Sequence, residues 1–174
     1  MIKIVQNGEP VLRQIAHEIP EAEITSAKTQ DIIKRMIAAL ESQDDGVAIA
    51  APQIGEAVRI FIVSGKIFDS NYPDIAEGAP IPPHLVCINP KITKLSKTKK
   101  WLPEGCLSVR WLYGNVQRAT KAEIRAYDEQ GQIFTRGGSG LLAQIFQHEN
   151  DHLDGILFID KAEDLQDTPP EHDE

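Results

Sequence analysis

His148 and His152 stand four residues apart in Gln147-His148-Glu149-Asn150-Asp151-His152, with a glutamate directly after the first. Four residues of α-helix turn through about 400°, so both imidazoles leave one face a turn apart and can meet one divalent cation. Glu149 is too close in sequence to share that cation comfortably. Its carboxylate can still reach water beside the ion, the place for a general base. A tetrahedral site that keeps a water needs a third protein ligand. The metzincin continuation would put a histidine three residues after Gly155, and the chain has Phe158 there. Glu163 and Glu171 lie in an acidic tail, and His17, His84 and His172 have no supporting context. Cys106 is the better candidate. It lies in the turn-like stretch Pro103-Glu104-Gly105-Cys106-Leu107-Ser108, where Gly105 lets the backbone bend close to a site. Cys87, inside Leu85-Val86-Cys87-Ile88, reads instead as a small buried hydrophobe.

These residues need elements to hold them. Leu141 to Leu153 is apolar at helical spacing and predicts the helix that carries both histidines. An earlier helix, capped by Thr25 or Ser26 and running to about Ser42, follows from Ile32, Ile33, Met36, Ile37 and Leu40. Between them, 58–63 and 85–89 predict buried strands, 92–98 a lysine-bearing edge strand, and 121–134 a hairpin. Residues 64–84 predict a long surface loop. The order is not a regular βαβ alternation. The expected class is α+β, with mostly antiparallel strands packed around a central metal-binding helix that carries HExxH.

With 174 residues, 41% apolar and 25% charged, the chain suits one soluble globular domain. Residues 1–160 are expected to be a single catalytic domain and 161–174 a flexible acidic tail, which holds one lysine against six acids. A net charge of −8 argues against nucleic-acid binding as the main function. Two cysteines are too few for a disulfide scaffold. No apolar run nears membrane-spanning length and the N-terminus is no signal peptide, so a cytoplasmic protein is expected.

Three blocks in order resemble the peptide deformylases: Gly46-Val47-Ala48-Ile49-Ala50-Ala51-Pro52-Gln53, Glu104-Gly105-Cys106-Leu107-Ser108, and Gln147-His148-Glu149-Asn150-Asp151-His152. The resemblance runs from the opening segment to about Asp160. It implies a divalent metal held by Cys106, His148 and His152 with water as fourth ligand, Fe(II) being the usual working ion and Zn, Ni or Co able to occupy the site. It implies removal of the formyl group from the N-terminal methionine of newly made polypeptides, releasing formate. Glu149 would be the proton carrier, and the Gln53 amide and Leu107 N–H would donate to the oxyanion. By the same resemblance Val47, Leu141 and Ile145 line a methionine pocket, and Arg118 lies near the substrate-side strands. The substrate backbone would lie extended along Gly46, Val47 and Ala48. Gly105 would bend the opposite side toward it. Asp151 and Glu104 would orient a ligand, the helix or the glycine turn. The implied partners are N-formyl-methionyl nascent peptides, with transient proximity to the ribosome.

The chain departs from that pattern in three places. Ala48 replaces a glycine and puts a methyl group near the substrate path. Gln144 stands where relatives often have an aliphatic residue near the pocket. The acidic tail is unlike the basic or helical ends through which some relatives meet the ribosome. Two other readings remain at this level: an HExxH peptidase, opposed by the missing third histidine, and a peptide-binding module with a closed structural metal, which would need a fourth ligand.

Overall fold

A computed structural model describes residues 2–170; Met1 and the end of the expected tail, 171–174, lie outside the described residues. The first helix, α1 (Ala27–Glu41), starts where Ser26 accepts the Thr29 N–H at 3.2 Å, so the serine is the cap. Then come β1 (Ala48–Ala50), β2 (Ile60–Val63), β3 (Leu85–Leu95), β4 (Lys99–Gly105), β5 (Leu112–Ala119), β6 (Lys121–Tyr127) and β7 (Ile133–Ser139). The second helix, α2 (Gly140–Leu153), and β8 (Glu163–Asp167) follow. One sheet has the order β1-β2-β3-β6-β7 and the other β4-β5-β8, with every strand pair antiparallel. The described residues are thus mixed α/β, with antiparallel strands and two α-helices. No helix among the described residues is long and apolar enough to cross a membrane.

β2 is apolar at all four positions because both faces of its sheet are covered. Ile60 and Ile62, with Ile49 and Ile88, pack against Ile32, Ile33, Met36 and Leu40 of α1. Phe61 and Val63, with Ala48, Ala50 and Cys87, pack against Ala143, Ile145, Phe146 and Leu153 of α2. This alternation fixes α2, and the residues it carries, on one face of the five-stranded sheet.

The structure corrects several sequence expectations. Residues 85–89 and 92–98 are not two strands: β3 runs unbroken from 85 to 95, and register shifts after Ile88 and Ile92 account for the interrupted pattern. β4 and β5 have no counterpart in the sequence reading. Glu104 and Arg118 point into the protein and Pro103 and Gly114 stand within the strands, so apolar alternation is lost. Residues 163–167 are not a loose tail. They form β8 on β5, with Leu112 opposite Asp167 and Tyr113 opposite Gln166. All five β8 side chains are exposed, so main-chain pairing holds the strand and no core pattern announces it.

Gly155, just beyond α2, has φ +73°, and a Cβ built there would lie 2.6 Å from the Arg13 carbonyl oxygen. That contact joins the helix end to the N-terminal segment. Gly155→Ala is expected to lower stability by about 2 kcal/mol, within the range for a forced left-handed residue. Thermal unfolding should show this as a drop of roughly 4–8 °C.

Candidate metal centre

α2 places the His148 and His152 rings edge to face with centroids 4.9 Å apart. Cys106 follows immediately after β4, and its Sγ lies 3.2 Å from His152 Nε2. One donor atom from each of Cys106, His148 and His152 falls within 4.8 Å of the others. A tetrahedral ion with metal–nitrogen bonds near 2.0 Å and metal–sulfur bonds near 2.3 Å sets its donors roughly 3.3–3.6 Å apart. The cradle is therefore of the right size, and its thiolate-plus-imidazole donor set suits iron, zinc or cobalt. The two distant pieces of sequence, the helical turn and the bend at Cys106, converge as expected.

The His148 ring is oriented from behind. Its Nδ1 lies 2.9 Å from Glu104 Oε2, which leaves Nε2 for the cradle. Glu104 in turn receives Arg118 Nε at 2.6 Å and Nη2 at 3.0 Å, and Arg118 Nη1 donates to Asp151 at 2.7 Å. Burial works to raise the Glu104 pKa, but the bonds from His148 and Arg118 outweigh it and hold the carboxyl at about 2. Burial would lower the His148 pKa, yet Cys106 and Glu104 keep it well above the ordinary imidazole value. His152, desolvated and beside His148, falls well below it.

Arg118 is 3% exposed and fully engaged by Glu104 and Asp151. It does not line the cleft, so its expected place among the substrate contacts is corrected to a buried tie between β5 and α2. Asp151 meets Arg118 and Lys161 rather than a candidate ligand. Phe158, at the position where a metzincin would have histidine, is buried and stacked on the His148 ring.

Glu149 is 4% exposed and faces the same cleft. Its Oε2 is buried without a hydrogen-bond partner among the described residues, as is His152 Nδ1. Burial, only partly offset by the pull of His148, pushes the Glu149 pKa up to about 7. A poised, unpaired carboxyl beside one sulfur and two imidazole donors is what a proton carrier next to a metal requires. Gln53 is held by the Ala50 N–H at its Oε1, while its Nε2 donates to Ser108 Oγ at 3.1 Å.

The cleft over these groups has a volume of about 380 Å³. Gly46, Val47 and Ala48 form one wall, Gly105 to Leu107 another, and Leu141, Gln144 and Ile145 close it from α2. Every expected site residue except Arg118 lies on this cleft or, like His152, in the cradle at its base. Gln144 does not hang free: its Nε2 donates to the Pro103 carbonyl at 2.9 Å and ties α2 to β4 at the rim. Among the described residues β1 pairs with no strand but β2; Gln53 caps its other edge at the Ala50 N–H, and Gly46 to Ala48 face the cleft. Asp45, Arg110 and Tyr113 also line the cleft and escaped the sequence reading. Arg110 pairs with Asp45 at 2.6 Å and bonds Gln43 at 3.2 Å, contacts that no local spacing reveals. The Tyr113 ring lies over Gly105, where an added Cβ would come within 2.6 Å of it; the glycine itself was the available signal.

Comparison with known proteins identifies the family. The model of the family described as polypeptide deformylase matches residues 1–168. The peptide deformylase of Carboxydothermus hydrogenoformans is 38% identical over 169 residues, covering 94% of each chain. That of Leptospira biflexa is 35% identical over 159 residues, covering 91% of this chain and 86% of the relative. Among solved structures, a Met-Ala-Ser-bound class I type b peptide deformylase from Acinetobacter baumannii superposes with a TM-score of 0.81 at 34% identity, over 92% of this chain and 98% of that one. An actinonin complex of the enzyme from Synechococcus elongatus gives 0.78 at 31% identity, over 94% and 79%.

Proposed function

The chain belongs to the polypeptide deformylase family, a family of metal-dependent enzymes, and from that premise we propose how its own residues remove the formyl group from N-terminal formyl-methionine. Cys106, His148 and His152 hold one divalent ion, Fe(II) in the cell, with Zn, Ni and Co fitting the same donors. When bound, the ion supplies Lewis acidity that brings the pKa of water down to about 7. Glu149 takes the proton from the attacking water and delivers it to the leaving amine. The Leu107 N–H and the Gln53 amide, which gives up its long 3.6 Å bond to the Cys106 sulfur to do so, donate to the oxyanion as the formyl carbon becomes tetrahedral. Val47, Leu141 and Ile145 enclose the methionine side chain, with Gln144 as a polar rim. The peptide backbone lies along Gly46, Val47 and Ala48 at the cleft side of β1, with Gly105 on the far side. Main-chain pairing of this kind tolerates varied following residues, which suits newly made polypeptides as substrates. We place the enzyme in the cytoplasm, in transient proximity to ribosomes, and treat residues 1–160 as one catalytic domain to whose smaller sheet β8 adds a strand.

The observation that carries this reading is the convergence of the Cys106, His148 and His152 donor atoms within 4.8 Å, beside the unpaired carboxylate of Glu149. The test offers formyl-Met-Ala-Ser and an internal-peptide substrate to enzyme loaded with iron under argon or with zinc. Formate release from the first, faster with iron, is the expected result. Cleavage of the internal peptide without formate would overturn it.

The two cysteines provide a further check. Cys106→Ala is expected to weaken metal retention by more than about 100-fold, beyond the effect of losing an outer partner. Cys87→Ala, at a fully buried core position outside the Cys106–His148–His152 group, should retain metal as the wild type does. Equal metal content of the two variants after dialysis would remove Cys106 from the ligand set.

A further inference from the structure

Residues 5–7 cross the two segments that face the Cys106 sulfur. The Val5 N–H donates to the Gln53 carbonyl at 2.8 Å, and the Asn7 N–H to the Ser108 carbonyl at 2.7 Å. Between them, Gln6 Nε2 donates to the Leu107 carbonyl at 2.8 Å. The strap thus ties the segment after β1 to the turn after β4, which belong to different sheets.

Those same segments supply two hydrogen-bond donors to the sulfur: the Ser108 N–H at 3.4 Å and Gln53 Nε2 at 3.6 Å. The Ser108 N–H and the Leu107 carbonyl are opposite ends of one planar peptide unit. Rotating that unit would move both ends together. Gln6 grips the oxygen end, so it fixes the direction of the N–H toward the sulfur. Asn7 holds the next carbonyl, which fixes the following unit. Gln53 and Ser108 are buried, whereas Gln6 is exposed and reaches in by its side chain alone.

We propose that Gln6 is a positioning residue for the Cys106 thiolate: by clamping the Leu107–Ser108 peptide it maintains the N–H···S bond and so sets how strongly the sulfur donates to the ion. This rests on the reading of Cys106 as a metal ligand. A thiolate relieved of a hydrogen bond donates more charge, which reduces the ion's pull on water and substrate oxygen. Loss of such an outer partner typically changes metal affinity or activity 10–100-fold.

The test compares wild type, Gln6→Leu, Gln6→Asn, too short to reach, and Gln6→His, which returns an N–H donor. Each is loaded with Co(II) for absorption spectroscopy and with iron for kinetics on formyl-Met-Ala-Ser. In the leucine and asparagine variants the sulfur-to-cobalt charge-transfer band should move to longer wavelength. Their kcat should fall roughly tenfold, with KM unchanged within about twofold. Gln6→His should recover both readings. The leucine and asparagine variants should unfold only about 2–4 °C below wild type, the cost of one part-buried hydrogen bond, so that a global loss of structure cannot account for the spectral shift. A band present in wild type and unmoved in the variants overturns the role of Gln6 alone. A wild-type spectrum with no sulfur-to-cobalt band removes Cys106 from the metal and both readings with it.

Discussion

Glu149→Ala is expected to bind one divalent ion per chain, as the wild type does, yet to release formate from formyl-Met-Ala-Ser roughly 10²–10⁴-fold more slowly. The carboxylate is buried in the cleft wall and its Oε2 has no partner among the described residues, so alanine removes no contact on which the cradle depends. Its proton is held up to about pH 7 by desolvation. A nearby cation favours the ionised form. Turnover should therefore rise with pH as Glu149 ionises, with the midpoint at or below about 7, and the variant should lose that limb. The same displacement acts on stability with the opposite sense. In ion-free protein the raised pKa means the folded state holds a proton that the unfolded chain, near pH 4.3, has released. That contribution is complete below the unfolded value and is lost as pH rises through about 7. Ion-free Glu149→Gln should consequently be more stable than ion-free wild type above pH 7, by on the order of 3 kcal/mol in urea unfolding. Full turnover by Glu149→Ala would remove this residue from the mechanism. Equal pH dependence of the two ion-free proteins would mean that the carboxylate is not desolvated.

What could be read before the structure depended on how local each relation is. His148, Glu149 and His152 share one helical turn, so spacing alone reveals them. The Cys106 bend was visible through its glycine, although the strands that bracket it were not. β4 and β5 enclose Glu104 and Arg118, a buried ion pair that replaces the apolar alternation by which strands are recognised. The same pair explains the misplacement of Arg118: the resemblance put it near the substrate-side strands, and nothing local reveals that Glu104 and Asp151 turn it inward. β8 is held by backbone bonds and leaves no trace in side-chain pattern. The Arg110–Asp45 link and the grip of Gln6 on Leu107 join positions far apart in the chain. Each is one contact between residue types common on any surface, so only the fold can pair them.

Glu104→Ala should damage the protein twice, by mechanisms that a second substitution separates. The first concerns the fold. Glu104 accepts two bonds from Arg118, and both side chains are 3% exposed. Removing the carboxylate leaves a buried guanidinium with only Asp151 as counter-ion. Breaking one side of such a pair costs about 3–5 kcal/mol, or roughly 6–20 °C in unfolding temperature for a chain of this size. The sign with pH is also fixed. A carboxyl held at about 2 in the folded state stabilises above its unfolded pKa and loses that contribution as pH falls toward 2. Wild type should therefore lose its advantage over the variant in acid. The second mechanism concerns the cradle. Without Glu104 the His148 Nδ1 has no acceptor to fix its ring, and metal affinity should drop about 10–100-fold. Adding Arg118→Met to Glu104→Ala removes the stranded charge and should restore much of the stability, because an apolar replacement of a buried pair is often close to neutral. It cannot restore the orientation of His148, so metal retention should stay low. Recovery of both would show that Glu104 acts only through the fold. Recovery of neither would show that the charge on Arg118 is not what unfolds the single variant.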